Sequence, residues 1–379
     1  MREDDEIIQF WQNIIETAIA SRASDIHIEP EEGASSIRLR VDGYLSHLVK
    51  SPALWHERIT TRIKILSRLD ISEKRLPQDG QMLAQTSSDS VNCRVSTLPT
   101  FHGEKIVVRL LNKHTDDLHL EKLGLQEHQL KVFQEALNQA QGFILVTGPT
   151  GSGKTQTLYS CLQYLAKNDY NISSIEDPVE ITLAGINQVQ VNEKSGLSFH
   201  LALRALMRQD PDVIMLGEIR DSVTAQTAFQ AAQTGHLVLA TLHANDAPSA
   251  LWRLRQLGIQ SDTLANNLRC ITAQRLLRLS CTLCKGSLIS TSTTTTQTCS
   301  NCHGSGFKNR TAVHQVMPIS HAMRLLIEQN APLSLILNQC HSEKIDHMAD
   351  SAQKLVARGL TTISEVKKHL GFYFENQGA

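Results

Sequence analysis

The sequence lacks a charge excess of either sign. Its 379 residues carry 37 Lys and Arg against 38 Asp and Glu, which gives a formal net charge of −1. Aromatic residues are scarce as well, with nine Phe, three Trp and five Tyr. Proteins that follow a nucleic-acid backbone need a basic surface, and those that bind single strands also need aromatic platforms for the bases. The composition therefore argues against a nucleic-acid partner.

Long apolar runs are also missing. No stretch approaches the roughly 20 residues that a membrane-spanning helix needs. The acidic N-terminus, from Met1 to Glu6, has no apolar stretch of the kind found in a signal peptide. We expect the chain to remain in the cytoplasm, where its eight cysteines stay reduced. Paired cysteines then indicate a metal site rather than disulfides.

The length favours two or three domains. Near the N-terminus, apolar residues are spaced as on one face of a helix. Further along, apolar residues alternate with polar ones as in a strand, and together the two patterns predict a small α+β domain over 1–112. The polar residues at 113–122 are interpreted as a linker. Short apolar runs between helical stretches then predict an α/β core over 123–280. After a cysteine-rich subdomain at 281–310, four helical stretches predict a helical C-terminal region over 311–379.

Four apolar runs predict the strands of the α/β core, and they are Phe143–Val146, Ile172–Ile175, Val213–Leu216 and Leu237–Thr241. Three of these runs are continuous, as expected of a parallel sheet that is buried on both faces. The run at 172–175 is interrupted by two serines and is the weaker strand signal.

A complete phosphate-binding loop follows the first of these runs, with the sequence Gly148-Pro149-Thr150-Gly151-Ser152-Gly153-Lys154-Thr155. The preceding strand and the following helical stretch are the context that this motif requires. Glycines let several backbone N–H groups face one anion, and the helix N-terminus adds a partial positive charge. We expect Lys154 to reach the β- and γ-phosphates and the Thr155 hydroxyl to bind Mg²⁺. A glycine-rich turn that binds nothing would not explain the complete motif with its flanks.

Candidate catalytic side chains stand at the ends of the later strands. Glu218 follows the run at 213–216 in the form of a Walker B segment, where it can hold the Mg²⁺ shell or orient the attacking water. Glu176 and Glu180, in the acidic turn after the run at 172–175, could also serve as metal-shell or base groups, with Glu176 the second candidate for the catalytic carboxylate. On spacing alone, an acidic solvated turn competes with this interpretation. His243 lies where a γ-phosphate sensor would stand. Lone histidines are more often structural, so chemistry alone leaves its role open.

Two Cys-x-x-Cys pairs, Cys281 with Cys284 and Cys299 with Cys302, are separated by fourteen residues. Each pair can supply two thiolates to one tetrahedral ion, and the intervening loop brings the pairs together. The spacing predicts a structural zinc site rather than four unrelated thiols. The other four cysteines are isolated and are expected to be packing residues, namely Cys93, Cys161, Cys270 and Cys340.

Taken together, these segments resemble the secretion ATPase superfamily, specifically the type II secretion and type IV pilus assembly ATPases. Besides the phosphate loop and the cysteine pairs, the matching runs lie at 24–29, 40–43, 75–80, 176–180, 206–221 and 234–243. These runs are long, follow the family's order and cover nearly the whole chain.

The resemblance implies a PAS-like domain followed by a RecA-like ATPase domain in a homo-hexameric ring. It implies ATP, Mg²⁺ and Zn²⁺ as cofactors, and hydrolysis that powers assembly of a type IV pilus or a type II secretion pseudopilus. The implied partner is an inner-membrane platform protein, at the inner face of the cytoplasmic membrane. Two arginines of the first domain, Arg94 and Arg109, are implied to close on the γ-phosphate.

The sequence departs from the family's pattern in two places. We expect the extra N-terminal domain that docks on the platform to be absent, or nearly so, which bears on the family's usual membrane docking and not on its ATPase. The loop between the cysteine pairs is also short. The cysteine pairs themselves argue for an assembly ATPase, because the retraction ATPases of the family typically lack them.

Two other functions fit parts of the sequence. RecA-like rings also move nucleic acids and a four-cysteine ribbon can bind DNA, so a nucleic-acid translocase is one alternative, which a salt-dependent DNA shift would support. The other is an adaptor that binds nucleotide without hydrolysing it. The intact Lys154, Thr155 and Glu218 argue against the adaptor, and a phosphate-release assay distinguishes an adaptor from an ATPase.

Overall fold

The computed structural model describes residues 2–86, 90–111, 118–286, 299–302 and 304–375. The chain divides into two compact units, Met1–His114 and Thr115–Ala379. Of the predicted linker, residues 113–117 lie outside the described residues, whereas Leu118 and Leu120 are buried in a core of the second unit. Within the described ranges, no helix is long and apolar enough to cross a bilayer.

The first unit is a six-stranded antiparallel sheet with two helices packed on it. Its elements are α1 (Arg2–Ala20), β1 (Ala23–Glu31), β2 (Ala34–Val41), β3 (Tyr44–Pro52), α2 (Ala53–Leu66), β4 (Gln78–Gln85), β5 (Ser90–Thr100) and β6 (Gly103–Leu111). The strand order is β3-β2-β1-β6-β5-β4. Apolar residues of both helices and of the sheet, among them Trp11, Ile59 and Val108, form one core. This is the PAS-like α+β fold that the resemblance predicts.

The sequence pattern does not predict β3 and β4. Both are edge strands of the sheet, and β4 buries only Met82 and Ala84 of its eight residues. Edge strands carry many polar residues because one side of their backbone faces away from the sheet. Their apolar alternation is therefore weak.

The second unit is built on a seven-stranded sheet. Its strands are β7 (Gly142–Thr147), β8 (Ile172–Glu176), β9 (Asn187–Gln190), β10 (Val213–Leu216), β11 (Leu237–Leu242), β12 (Leu268–Ser280) and β13 (Phe307–Pro318). Their order is β13-β12-β7-β11-β10-β8-β9, and all neighbours are parallel except β12 and β13. The four predicted core strands are present.

Helices pack on this sheet and extend beyond it. They are α3 (Glu127–Leu137), α4 (Lys154–Leu165), α5 (Phe199–Leu206), α6 (Ser222–Gln233), α7 (Ala247–Gln256), α8 (Ser261–Asn267), α9 (His321–Glu328), α10 (Leu333–Ser342), α11 (Met348–Ala357) and α12 (Ile363–Glu375). Alternate residues of β7 enter different cores: Phe143 and Leu145 enter one, and Ile144 and Val146 the other. The continuous apolar run at this strand reflects burial on both faces.

The region after the core differs from the prediction at one point. A strand that the sequence pattern does not predict precedes the C-terminal helices: β13 extends to Pro318, inside the region predicted as 311–379, and pairs antiparallel with β12 from Cys270 to Ser280. This pairing joins residues 27 to 48 apart in sequence, so a local apolar period cannot predict it. The four predicted C-terminal helices, α9 to α12, then follow.

Candidate nucleotide site and metal site

The phosphate loop joins β7 to α4, as the sequence predicts. Gly151 and Gly153 have positive φ angles of 77° and 89°. A Cβ atom at Gly148 would lie 2.5 Å from the Ser152 Oγ and 2.6 Å from the backbone oxygen of Gln274. The glycines are therefore required by the path of the loop, which leaves no room for a side chain at its first position.

Lys154 is the first residue of α4 and folds back over the loop. Its Nζ donates to the carbonyl oxygens of Gly148 and Pro149 at 2.8 and 3.0 Å. Burial lowers the pKa of this ammonium, the charge of Glu218 opposes the shift, and the charge of Arg275 adds to it. Anionic phosphates in the loop would favour the charged ammonium, so the lysine is suited to hold a polyphosphate. Thr155 follows on the same helical turn and is partly exposed.

Glu218 and His243 meet beyond the ends of two neighbouring strands. Glu218 stands two residues after β10, and His243 one residue after β11. The Nε2 of His243 lies 2.9 Å from the Glu218 Oε1, and the Nε of Arg220 donates to the other carboxylate oxygen at 3.0 Å. The Glu218 side chain is 23 % exposed and that of His243 48 %. The two side chains are thus within hydrogen-bonding distance of each other.

Glu176 is placed differently. It is buried, and its carboxylate accepts hydrogen bonds from the hydroxyl of Tyr159, from the Ser174 Oγ at 2.5 Å and from the Gln188 Nε2 at 3.0 Å. The Tyr159 oxygen accepts in turn from the backbone N–H of Glu180 at 3.2 Å. Burial, together with the bond to Glu176, raises the pKa of Tyr159. These contacts tie α4 and β9 to the acidic turn, and they occupy the carboxylate.

Arg94 and Arg109 lie directly opposite each other on β5 and β6. The strand register continues this row through Asp25 on β1 to Arg40 on β2. The Nε of Arg109 donates to Asp25 at 2.9 Å, and the Nε of Arg40 lies 3.7 Å from the second oxygen of the same carboxylate. Like charges opposite each other on neighbouring strands destabilise a sheet. A row with three arginines and one aspartate is thus suited to accept a further anion.

Sequence reasoning missed two residues of β12 that contact the nucleotide site. Gln274 bonds to the phosphate loop, and Arg275 donates to the carbonyl oxygen of Asn245 at 3.0 Å, just after His243. Both are buried in the middle of β12, between the mostly apolar residues at 270–273 and Leu276 and Leu277. The sequence signal that could have found them is a polar pair inside a mostly apolar run, because buried polar side chains need hydrogen-bond partners.

The four paired cysteines converge, with all four Sγ atoms within 4.8 Å of one another. The Sγ atoms of Cys281 and Cys299 are 3.8 Å apart, and those of Cys284 and Cys302 are 3.6 Å apart. Four thiolates at about 2.3 Å from one tetrahedral ion lie roughly 3.8 Å apart, so the cluster fits zinc. The backbone N–H of Cys284 lowers the pKa of Cys281 to about 6, whereas burial raises that of Cys284 to about 12. The Nδ2 of Asn301 donates to the Cys281 Sγ at 3.3 Å.

A buried ion pair joins the base of the cysteine-rich segment to α12. Arg278 on β12 donates to both carboxylate oxygens of Glu365, at 3.1 and 2.8 Å. Its guanidinium also lies 3.9 Å from the centre of the Phe307 ring on β13. Burial acts to raise the pKa of Glu365, but the hydrogen bonds from His369 and Arg278 outweigh it and lower the pKa.

The fold and the phosphate loop define a RecA-like P-loop ATPase with an added cluster of four cysteines whose spacing fits a tetrahedral metal ion. The chain belongs to the family of type II/IV secretion system proteins, whose sequence model matches residues 1–368. These findings confirm the predicted family, the predicted fold and the prediction of an ATP hydrolase.

Individual relatives place the chain among secretion and pilus assembly proteins. It is 43 % identical over 360 residues to the type II secretion system protein HxcR of Pseudomonas aeruginosa, covering 95 % of this chain and 76 % of that protein. It is 40 % identical over 388 residues to the type IV pilus assembly ATPase PilB of Acinetobacter baylyi, covering 97 % of this chain and 67 % of that protein. Among solved structures, the pilus retraction motor PilT with bound ADP matches with a TM-score of 0.66 and 28 % identity, over 94 % of this chain and 96 % of that one.

Proposed function

We propose that this chain hydrolyses Mg-ATP as a homo-hexamer at the cytoplasmic face of the inner membrane, where it powers assembly of a type IV pilus or a type II secretion pseudopilus. The observation that carries the chemistry is the pair of Glu218 and His243, joined at 2.9 Å beyond neighbouring strand ends of the sheet that also carries the phosphate loop. An open parallel sheet binds its ligand at this edge.

Each residue of the site has a separate task. The loop N–H groups and Lys154 hold the β- and γ-phosphates, and Thr155 would hold Mg²⁺, which neutralises phosphate charge when bound. Glu218 orients the attacking water and accepts its proton. His243 fixes the Glu218 carboxylate and senses the γ-phosphate.

Of the two candidate carboxylates, Glu218 is the better catalytic group. Its partners His243 and Arg220 are themselves partly exposed, so a water molecule can reach it. Glu176 is closed off by three donors and holds the acidic turn in place. Its effect on hydrolysis is therefore indirect.

Arg94 and Arg109 are proposed to close on the γ-phosphate in the nucleotide-bound state. A cationic pair that contacts the triphosphate in one state and leaves it in another would couple hydrolysis to domain movement. The support on this chain is the excess of positive charge in the row of Arg40, Asp25, Arg109 and Arg94.

Assembly is favoured over retraction by the four-cysteine site and by the relatives. The named secretion and pilus assembly proteins are 40–43 % identical to this chain, and the retraction motor is 28 % identical. The proposed zinc ion is structural, because four thiolates leave no open position for a substrate. An inner-membrane platform protein is the proposed partner.

The carboxylate assignment is tested by comparing Glu218→Gln with Glu176→Gln. Glu218→Gln should lower phosphate release about 10²-fold or more while ATP still binds, since general-base catalysis contributes on that scale. Glu176→Gln should mainly lower the melting temperature. Loss of hydrolysis at an unchanged melting temperature in Glu176→Gln, together with normal turnover in Glu218→Gln, would reverse the assignment.

The assembly role is tested in the host cell by deleting the gene and counting surface pili and secreted protein. The wild-type gene should restore whichever of these is lost, and the Glu218→Gln gene should not. A deletion that changes neither readout would contradict the proposal, and hydrolysis stimulated by DNA would support the translocase instead.

A further inference from the structure

The side chain of Gln274 bridges two parts of the phosphate site. Its Nε2 donates to the carbonyl oxygen of Ser152, in the loop, at 2.7 Å. Its Oε1 accepts from the Thr157 Oγ1, on the first turns of α4, at 2.8 Å. The residue is 1 % exposed, so water does not compete for these bonds. Both partners lie more than 110 residues away in sequence.

The strand register explains why this glutamine reaches the loop. Strand β12 runs parallel to β7, and Ala273 pairs with Thr147, the last residue of β7. The next residue of β12 is therefore level with the point where β7 gives way to the loop. A Cβ at Gly148 would lie 2.6 Å from the Gln274 backbone oxygen, and one at Gly153 would lie 3.3 Å from its Nε2. The loop is packed directly against Gln274 at two of its glycines.

Fixing the Ser152 carbonyl also fixes the neighbouring N–H. In a trans peptide the C=O of one residue and the N–H of the next point in opposite directions. Because the Ser152 oxygen points to Gln274, the Gly153 N–H points away from β12, and loop N–H groups of this kind form the concave anion site of a phosphate loop. Without the amide, this buried carbonyl would lose its donor, and a turn of the peptide would present an acceptor to the phosphates instead.

We propose that Gln274 is a positioning residue of the ATP site, which holds the phosphate loop from β12 in the curvature that phosphate binding needs. This inference rests on the proposed hydrolysis at that loop. Gln274 touches no reacting atom and acts through the orientation of the Ser152–Gly153 peptide and through the placement of α4 by Thr157.

The test is Gln274→Glu, which keeps an acceptor for Thr157 but replaces the donor to Ser152 with a second acceptor. The matched control is Gln129→Glu on α3. Gln129 is 3 % exposed, and its Nε2 also donates to a carbonyl oxygen, that of His314, at 3.0 Å. Both variants thus lose the same kind of buried bond, and only one of them loses it at the loop.

Gln274→Glu should weaken ADP binding and lower kcat/KM for ATP by about tenfold to a hundredfold, the scale on which small displacements of a site act. Adenosine binding should change by less than about twofold, because the loop faces phosphates and not the nucleoside. Gln129→Glu should show no such loss at a similar melting temperature.

Either of two results would overturn the inference. One is that folded Gln274→Glu keeps wild-type ADP affinity and turnover, and the other is that it loses ADP and adenosine binding equally. If Gln274→Glu does not fold, Thr157→Val should weaken ADP binding and Thr157→Ser should retain it, and equal affinities in the two would overturn the role of the bridge. A wild-type protein that neither binds ADP nor releases phosphate would overturn the proposed function as well, whereas an active wild type matched by Gln274→Glu would overturn only the role of Gln274.

Discussion

Replacing Arg94 or Arg109 with alanine separates a mechanistic role from a structural one. Arg94 faces Arg109 across two strands, and such like-charge pairs destabilise by a few tenths to about 1 kcal/mol. Arg94→Ala should therefore leave stability unchanged or raise it slightly. Arg109→Ala breaks the bond to the buried Asp25, but that carboxylate keeps the Ser24 hydroxyl and Arg40 as partners. The Arg109 side chain is 65 % exposed, so the loss of stability should be on the order of 1 kcal/mol. Neither variant should unfold the protein.

The expected effect on hydrolysis is much larger. A cation that meets the γ-phosphate only in the closed state stabilises the charge that develops there, which in related phosphoryl-transfer systems amounts to about 10³-fold or more. That factor corresponds to about 4 kcal/mol of the barrier. ADP affinity should stay nearly constant, because ADP has no γ-phosphate.

Steady-state phosphate release, binding of fluorescent ADP and thermal melting measure the three quantities. The matched control is Arg38→Ala on β2, whose arginine pairs with Glu29 as Arg109 pairs with Asp25 but lies outside the row. The control should turn over within about twofold of wild type, as surface substitutions generally have small effects. Unchanged hydrolysis in both Arg94→Ala and Arg109→Ala would refute the closure mechanism.

The purified protein is expected to contain one zinc per chain, and Cys281→Ser should lower both zinc content and melting temperature, because structural zinc contributes folding free energy. Metal analysis well below one zinc per chain would rule this out. Glu365→Gln should destabilise by about 3 kcal/mol at neutral pH, because it removes one charge from a buried ion pair. Since folding lowers the pKa of Glu365 from its ordinary value of 4.5, this stability is present above that pH and is lost on acidification. Denaturant unfolding should show the difference between variant and wild type narrowing as the pH falls, and a constant difference would contradict the account.

Much of the second unit could be predicted from the sequence because its signals are local. The phosphate loop carries its own turn chemistry, and the runs at 143–146 and 213–216 are apolar because both faces of those strands are covered. The spacing of the cysteine pairs alone predicts a tetrahedral metal site. In each case the residues that define the feature are neighbours in the chain.

What could not be predicted depends on residues far apart in sequence. The pairing of β12 with β13 is fixed by tertiary contacts, and so is the bond from Gln274 to Ser152. The two carboxylates Glu176 and Glu218 look alike at their strand ends. The two carboxylates differ only in their surroundings: three donors surround Glu176, whereas the His243 ring lies beside Glu218.

Phosphate release by wild-type protein and by Lys154→Ala tests the central claim most directly. The Lys154 ammonium bonds to two loop carbonyls, but the loop's path is set by its glycines and by Gln274, so the variant should fold with a near-normal melting temperature. We expect ATP hydrolysis by the wild type and background release by Lys154→Ala, because the loop loses its cation on the β- and γ-phosphates. Wild-type turnover in folded Lys154→Ala would contradict ATP hydrolysis at this site.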